Sequence, residues 1–203
     1  WFGSRHSFPK NITAFMPVIP ASGNSCRKAK GKDAMTADLN QPAPLFTLPD
    51  MDGRKHRLVD WSGRLVILEF WSADCGSCER VDLGLRSLQT ELGDQLTWVV
   101  IAAAPEPISL IRRVVERRKI PLVLRDGHQK VTGEYGVVVT PTLFILDREG
   151  VLRYRGAYDD RTFRKRESSR LYVIEAVRAL LAGSQPALQE TTAYGCVLMR
   201  VKS

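Results

Sequence analysis

The hydrophobic pattern is weak up to residue 41 and sharpens from Gln41 onward. Leu45–Leu48 and Lys55–Val59 flank Asp50-Met51-Asp52-Gly53, a turn in which glycine supplies an unusual backbone angle, and they predict a hairpin leading into the core. Leu65–Phe70 is a near-continuous apolar run of strand length, as expected of a strand buried on both faces. Val81, Leu85, Leu88 and Leu92 recur at spacings of three and four, which predicts a helix from near Cys78 to Gly93. Leu96–Ala103 is the next strand. Ile108, Ile111 and Val115 mark a second amphipathic helix, closed before Pro121. A short strand at Leu122–Leu124 and a short helix at Lys130–Tyr135 follow. Thr142–Leu146 and Val151–Arg155 form two strands around the turn Asp147-Arg148-Glu149-Gly150. Val173, Ile174, Val177, Leu180 and Leu181 give a last helix, ended by Gly183. The order β-α-β-α-β-α-β-β-α after an N-terminal hairpin implies an α/β fold, a central mixed sheet flanked by helices.

Composition divides the chain around this pattern. Residues 1–41 are rich in Ser, Gly, Pro, Asn and Lys without sustained period, and are expected to be a disordered or non-native extension. Met35 is the expected natural start. Residues 42–183 form the domain and residues 184–203 a tail. The net charge of +8 is compatible with nucleic acid or an anionic membrane, but residues 1–34 alone hold +5 of it, leaving +3 for the rest. The basic clusters Arg112–Lys119 and Arg161–Arg170 are each broken by a glutamate and are expected to be solvated faces. No nucleic-acid partner is expected. No run approaches the roughly 18 apolar residues of a membrane span, so no stable membrane insertion is expected either. A cytoplasmic location follows, or an extracytoplasmic one if an anchor lies outside this chain.

The chemistry-bearing residues are cysteines. There are four, Cys26, Cys75, Cys78 and Cys196, too few for a disulfide-stapled scaffold of this length. Cys75-Gly76-Ser77-Cys78 is a lone C-x-x-C, whereas structural zinc wants four ligands, and the three histidines are scattered. No metal and no cofactor beyond a redox-active Cys75–Cys78 disulfide is expected. Cys75 falls between a buried strand and the first turn of a helix, where unpaired N–H groups and the helix dipole favour the thiolate. Two intervening residues let Cys78 attack a mixed disulfide held on Cys75.

The segment Glu69-Phe70-Trp71-Ser72-Ala73-Asp74-Cys75-Gly76-Ser77-Cys78 resembles the active site of the thioredoxin-like superfamily. The resemblance implies a thioredoxin fold. It also implies that Glu69 lies buried beneath the pair, where a carboxyl of raised pKa relays the proton of Cys78. Trp71 matches the tryptophan beside the dithiol, Gly76 and Ser77 match the dipeptide that tunes the potential, and by the same likeness all three are expected to contact substrate. Val139-Thr140-Pro141-Thr142 is similar to the cis-proline segment. By that likeness the Thr140–Pro141 bond is cis, and the Thr140 backbone pairs with the substrate's chain.

The patterns Ala43–Leu48, Gly133–Val137 and Phe144–Gly150 narrow the likeness to the TlpA/ResA-like or AhpC/TSA-like redoxin branch, over roughly residues 42–183. Tyr194-Gly195-Cys196 resembles the glycine-cysteine ending of some bacterial redoxins, and Cys196 is expected to be a small buried residue, with a third redox thiol as the alternative. Asp74 and Ser77 depart from thioredoxin, which has tryptophan and proline there. A carboxylate at Asp74 is expected to oppose thiolate formation.

The implied function is thiol–disulfide oxidoreductase, with protein disulfides as substrates and a thiol reductant as partner. The alternative is a thiol peroxidase using Cys75, with Ser72 as the hydroxyl three residues before it, although Leu68 stands where peroxiredoxins carry proline. A non-catalytic metal-binding redoxin is the third reading, since thiolates select soft ions.

Overall fold

The computed structural model describes Trp1 and residues 37–200. The expected extension up to residue 36, with Met35 and Cys26, lies outside the described residues. Residues 37–41 are held on the domain: Ala37 is buried, and the Asn40 N–H donates to the Leu152 carbonyl at 2.8 Å. Backbone pairing orders this stretch despite its polar composition.

The N-terminal hairpin is β1 (Thr47–Pro49) and β2 (Lys55–Arg57), paired antiparallel. Its turn is drawn tight by Asp50, whose Oδ1 accepts the N–H groups of Asp52 and Arg54, each at 2.9 Å. The second predicted arm is shorter than expected, because Leu58–Trp61 winds into a 3-10 turn. β3 (Leu65–Trp71) enters α1 (Gly76–Leu92), followed by β4 (Leu96–Ala102), α2 (Ile108–Arg118), β5 (Val123–Arg125) and α3 (Lys130–Glu134). Then come β6 (Val139–Thr140), β7 (Thr142–Leu146), β8 (Leu152–Gly156) and α4 (Tyr172–Leu181). A last short strand, β9 (Cys196–Val197), closes the described chain.

The main sheet has the order β5-β4-β3-β7-β8, with β3 at its centre, parallel to β4 and antiparallel to β7. A central strand meets core on both sides, which is why Leu65–Phe70 reads as a continuous apolar run. The period of two then sorts its side chains. Leu65, Ile67 and Trp71 face a cluster built with α1, α2 and α4. Val66, Leu68 and Phe70 face the other, built with α3 and the hairpin. Glu69 takes the odd-numbered face, and so a single carboxyl is aimed at the underside of α1. β6 and β9 form a separate two-stranded pair that the hydrophobic pattern does not predict, since two residues show no period.

Candidate active site

The strand-to-helix junction places Cys75 at the N-cap of α1, with extended backbone (φ −102°, ψ 113°). Unpaired helical N–H groups therefore point at its sulfur, and the Cys78 N–H is one that bonds to it. The loop before it is tied down by Glu106, whose carboxylate accepts the Ser72 hydroxyl and the Ala73 N–H at 2.8 Å each and the Asp74 N–H at 2.9 Å. Nothing in the local pattern singles out Glu106, which arrives from the far end of β4. Its capture of the Ser72 hydroxyl leaves that group committed away from Cys75.

The Cys75 thiol is drawn down to about 4, first by a hydrogen bond from the Cys78 thiol and then by one from the Cys196 thiol, with burial opposing. Cys78 moves the other way. Burial pushes its thiol well above the usual range, helped by Cys75 and by the Glu69 charge. The two sulfurs thus divide into an anion and a proton donor, an arrangement suited to one attacking and one waiting thiol. The opposition expected of Asp74 does not decide the state of Cys75, because its side chain is exposed while the hydrogen-bond donors are in contact. Alkylation by iodoacetamide should therefore select Cys75 over Cys78, with a rate that stays level above about pH 5 and halves near pH 4. Rates measured by mass spectrometry across pH 3–9 check this, and a midpoint near that of free cysteine, about 8.5, contradicts it.

Glu69 is fully buried, as the resemblance implied. Its Oε2 accepts the Trp98 indole N–H at 3.0 Å, while Oε1 has no partner among the described residues. Burial holds this carboxyl well above its usual range, and repulsion from Asp82 adds to that. Trp71, expected to contact substrate, is instead fully buried, its indole N–H donating to Asp82 Oδ2 at 3.3 Å, because β3 is the central strand and turns this side chain into the core. Gly76 is exposed and Ser77 half-buried beside it.

The Thr140–Pro141 bond is cis, and the Cys75 thiol lies 3.3 Å from the Thr140 carbonyl, to which it donates when protonated. The structure thus brings Cys75, Cys78, Glu69, Gly76, Ser77, Thr140 and Pro141 to one place. It adds Asp82, Arg118 and Cys196, which local sequence did not select. Arg118 Nη1 donates to Asp82 Oδ2 at 2.9 Å, and its guanidinium lies 5.8 Å from the centre of a Trp71 ring. Burial pushes the Asp82 carboxyl up to about 6 in spite of this cation.

Two further expectations change. Cys196 is exposed as a residue, not buried, and its thiol bonds to Cys75, because β9 carries the tail back across the site. The Arg112–Lys119 cluster is not a wholly solvated face, since Arg118 is buried against Asp82, whereas Arg161 and Arg166 are solvent-accessible as expected. With Arg80, Gly76, Ser77 and Gly195 they line a cavity of about 370 Å³ at the mouth of the site. Among the described residues, no three His, Cys, Asp or Glu side chains are placed to hold a metal ion.

Comparison with known proteins agrees with this geometry. The thiol-disulfide oxidoreductase ResA of Geobacillus thermodenitrificans (strain NG80-2) is 34% identical over 113 residues, 55% of this chain and 64% of that protein. The thioredoxin-like protein YneN of Bacillus subtilis (strain 168) is 29% identical over 115 residues, 56% of this chain and 68% of that protein. The chain thus spans just under two thirds of the first of these relatives. The crystal structure of a hypothetical protein from Sinorhizobium meliloti 1021 superposes with a TM-score of 0.73 at 24% identity, covering 82% of this chain and 96% of the other, and shows the shared fold. Residues 39–155, more than half of the sequence, match the AhpC/TSA family, and with its thioredoxin-like sheet and buried dithiol the chain belongs to that family.

Proposed function

We propose that this protein is a thiol–disulfide oxidoreductase that exchanges electrons with protein disulfides through Cys75 and Cys78. The observation that carries the reading is the split between the two thiols, an anion at a helix N-terminus and a buried proton donor hydrogen-bonded to it.

In the reducing direction the Cys75 thiolate attacks one sulfur of a substrate disulfide, and the other sulfur leaves as a thiolate and is protonated by solvent. Formation of the mixed disulfide removes the negative charge from Cys75. That charge had raised the pKa of both Cys78 and Glu69, so its loss makes both easier to ionise. Glu69, having lost its own proton to solvent, takes the proton of Cys78, the Cys78 sulfur attacks Cys75, and the substrate's second sulfur leaves as a thiolate that solvent protonates. The first step thereby prepares the second, without any group having to move far. Oxidation of a substrate dithiol runs the same steps in reverse.

Arg80 is paired with Asp159, and Arg161 and Arg166 add positive charge at the mouth of the site, which favours substrate loops with acidic residues. Ser72 is engaged by Glu106 at 2.8 Å, and no observation here favours the peroxidase alternative.

The test is equilibration of the protein in graded thiol/disulfide buffers, with free thiols trapped and counted by mass spectrometry. A single two-electron transition assigned to Cys75 and Cys78 is expected. Its position against the glutathione poise gives the direction of action. Absence of an intramolecular disulfide across the range would sink the reading.

A further inference from the structure

The edge that the resemblance assigns to a substrate's chain is already occupied by this chain's own tail. β9 pairs antiparallel with β6, setting Cys196 opposite Thr140 and Val197 opposite Val139, and the Leu198 N–H donates to the Val138 carbonyl at 3.0 Å. Gly195 approaches so closely that a Cβ there would fall 2.0 Å from the Thr140 oxygen and 3.2 Å from Pro141 Cδ. Only glycine fits at that point.

The segment is fastened on both sides of Cys196. Beyond it, Leu198 is buried in the core cluster with Tyr135 and Val137, Gln129 Nε2 donates to the Met199 carbonyl at 2.7 Å, and Arg200 Nη2 donates to the Val137 carbonyl at 2.9 Å. Before it, Thr191 Oγ1 bonds to the Tyr154 hydroxyl at 2.6 Å and accepts the Ala157 N–H at 3.0 Å. Cys196 is therefore held between two anchors with its thiol on the Cys75 sulfur. The consequence for Cys75 is complete burial. A nucleophile that must reach a sulfur in another protein is covered by a strand of its own chain, and the side chain touching it is itself a thiol. The strap lies beyond residues 39–155, outside the family match.

We propose that the C-terminal strand is a built-in pseudosubstrate, and that Cys196 is a third redox thiol that exchanges with the oxidised Cys75–Cys78 pair to form a Cys75–Cys196 disulfide. The proposal rests on the disulfide-exchange reading above. In the step, Cys196 loses its proton and its sulfur attacks Cys75 Sγ. The Cys75–Cys196 bond forms as the Cys75–Cys78 bond breaks, and the leaving electron pair stays on Cys78, which takes up a proton. One disulfide replaces another, so no external oxidant or reductant is consumed. In the reduced protein Cys196 is a protonated donor, its thiol raised to about 11 by burial and by the bond to the Cys75 anion. Oxidation of Cys75 removes that anion and frees Cys196 to ionise. An incoming substrate must displace the strand, and a Cys75–Cys196 bond locks it in place.

The test uses the full chain with Cys26→Ser, leaving three of its four cysteines. Cys78→Ser is added, the protein is oxidised with glutathione disulfide, and bonds are mapped by mass spectrometry after alkylation. The tethered thiol acts at an effective concentration of about millimolar or above, so the Cys75–Cys196 bond should exceed the Cys75–glutathione adduct by at least about tenfold. Cys75 held as the glutathione adduct, with Cys196 alkylated, overturns the proposal. Gly195→Val places a branched side chain on the Thr140 carbonyl, and the overpacking should cut the yield of the bond by about tenfold; an undiminished yield overturns the docked geometry. Cys26→Ser with Cys196→Ser reads the underlying activity separately. If its Cys75–Cys78 disulfide forms while the Cys26→Ser, Cys78→Ser protein, which keeps Cys196, yields no Cys75–Cys196 bond, the pseudosubstrate fails alone. If its Cys75–Cys78 disulfide does not form, the oxidoreductase reading fails.

Discussion

Cys75→Ser is expected to abolish reduction of protein disulfides, with a loss on the order of 10³-fold or more. The site is organised around stabilising an anion at one atom. The Cys78 thiol, the Cys196 thiol and the Cys78 N–H all bond to the Cys75 sulfur and bring its thiol to about 4. A serine hydroxyl placed there stays protonated at any pH at which the protein is folded, and oxygen forms no stable exchangeable bond with a substrate sulfur. Cys78→Ser should behave differently. It keeps the attacking thiolate, performs the first step and accumulates adducts on Cys75. Glu69→Gln should do neither, and should slow only release of the mixed disulfide, by roughly 10²-fold, the usual contribution of a positioned proton acceptor. Turnover of insulin disulfides, with mass-spectrometric trapping of adducts, separates the three. Retention of a tenth or more of the activity by Cys75→Ser would show that exchange runs through another thiol.

The largest effect on stability is expected at Arg118, distant from any substrate contact. Arg118 and Asp82 form an ion pair that is almost wholly buried, with the guanidinium also near the Ala73 carbonyl and Glu79. Arg118→Met leaves the Asp82 carboxylate in the core without its cation, next to Glu69. Removing one partner of a buried pair destabilises by about 3–5 kcal/mol.

The pH dependence identifies the cause. Asp82 has a folded-state pKa of about 6, raised above its ordinary value of 3.8. A group raised on folding contributes most favourably at low pH, and that contribution is lost as pH rises through the folded value. Loss of Arg118 raises Asp82 further. The variant should therefore be much weaker than the parent at pH 8 and closer to it at pH 5, where the carboxyl is protonated. Urea unfolding at the two pH values measures this. A loss of under about 1 kcal/mol, or an equal loss at both, would mean the pair is not desolvated as the structure has it. Replacing Asp82 and Arg118 together with apolar residues should restore much of the loss, since the penalty belongs to the unpaired charge.

Sequence determined by itself what depends on neighbours along the chain. The near-continuous apolar run Leu65–Phe70 and the three-and-four spacing after Cys78 locate a buried strand running into a helix, and β3 and α1 lie there. That junction is enough to put Cys75 at a helix N-terminus, while Glu69 beneath it was implied by the family likeness. The family likeness supplied the cis bond at Pro141, which no local pattern encodes.

Tertiary structure decided everything that joins distant segments. Glu106 caps the cysteine loop from the end of β4, Arg118 neutralises Asp82 from α2, and Arg161 and Arg166 reach the site's mouth from the loop before α4. Cys196 is the clearest case. Its strand is two residues long, too short to carry a period, and of its immediate neighbours Val197 is exposed and Gly195 only half-buried. Only the closure of the chain over β8 and onto the Thr140 edge turns it from an isolated cysteine into a thiol bonded to Cys75. Hydrophobic periodicity records which face of an element is buried, not which remote element buries it, and a contact made by one glycine, one thiol and two backbone bonds leaves no periodic trace.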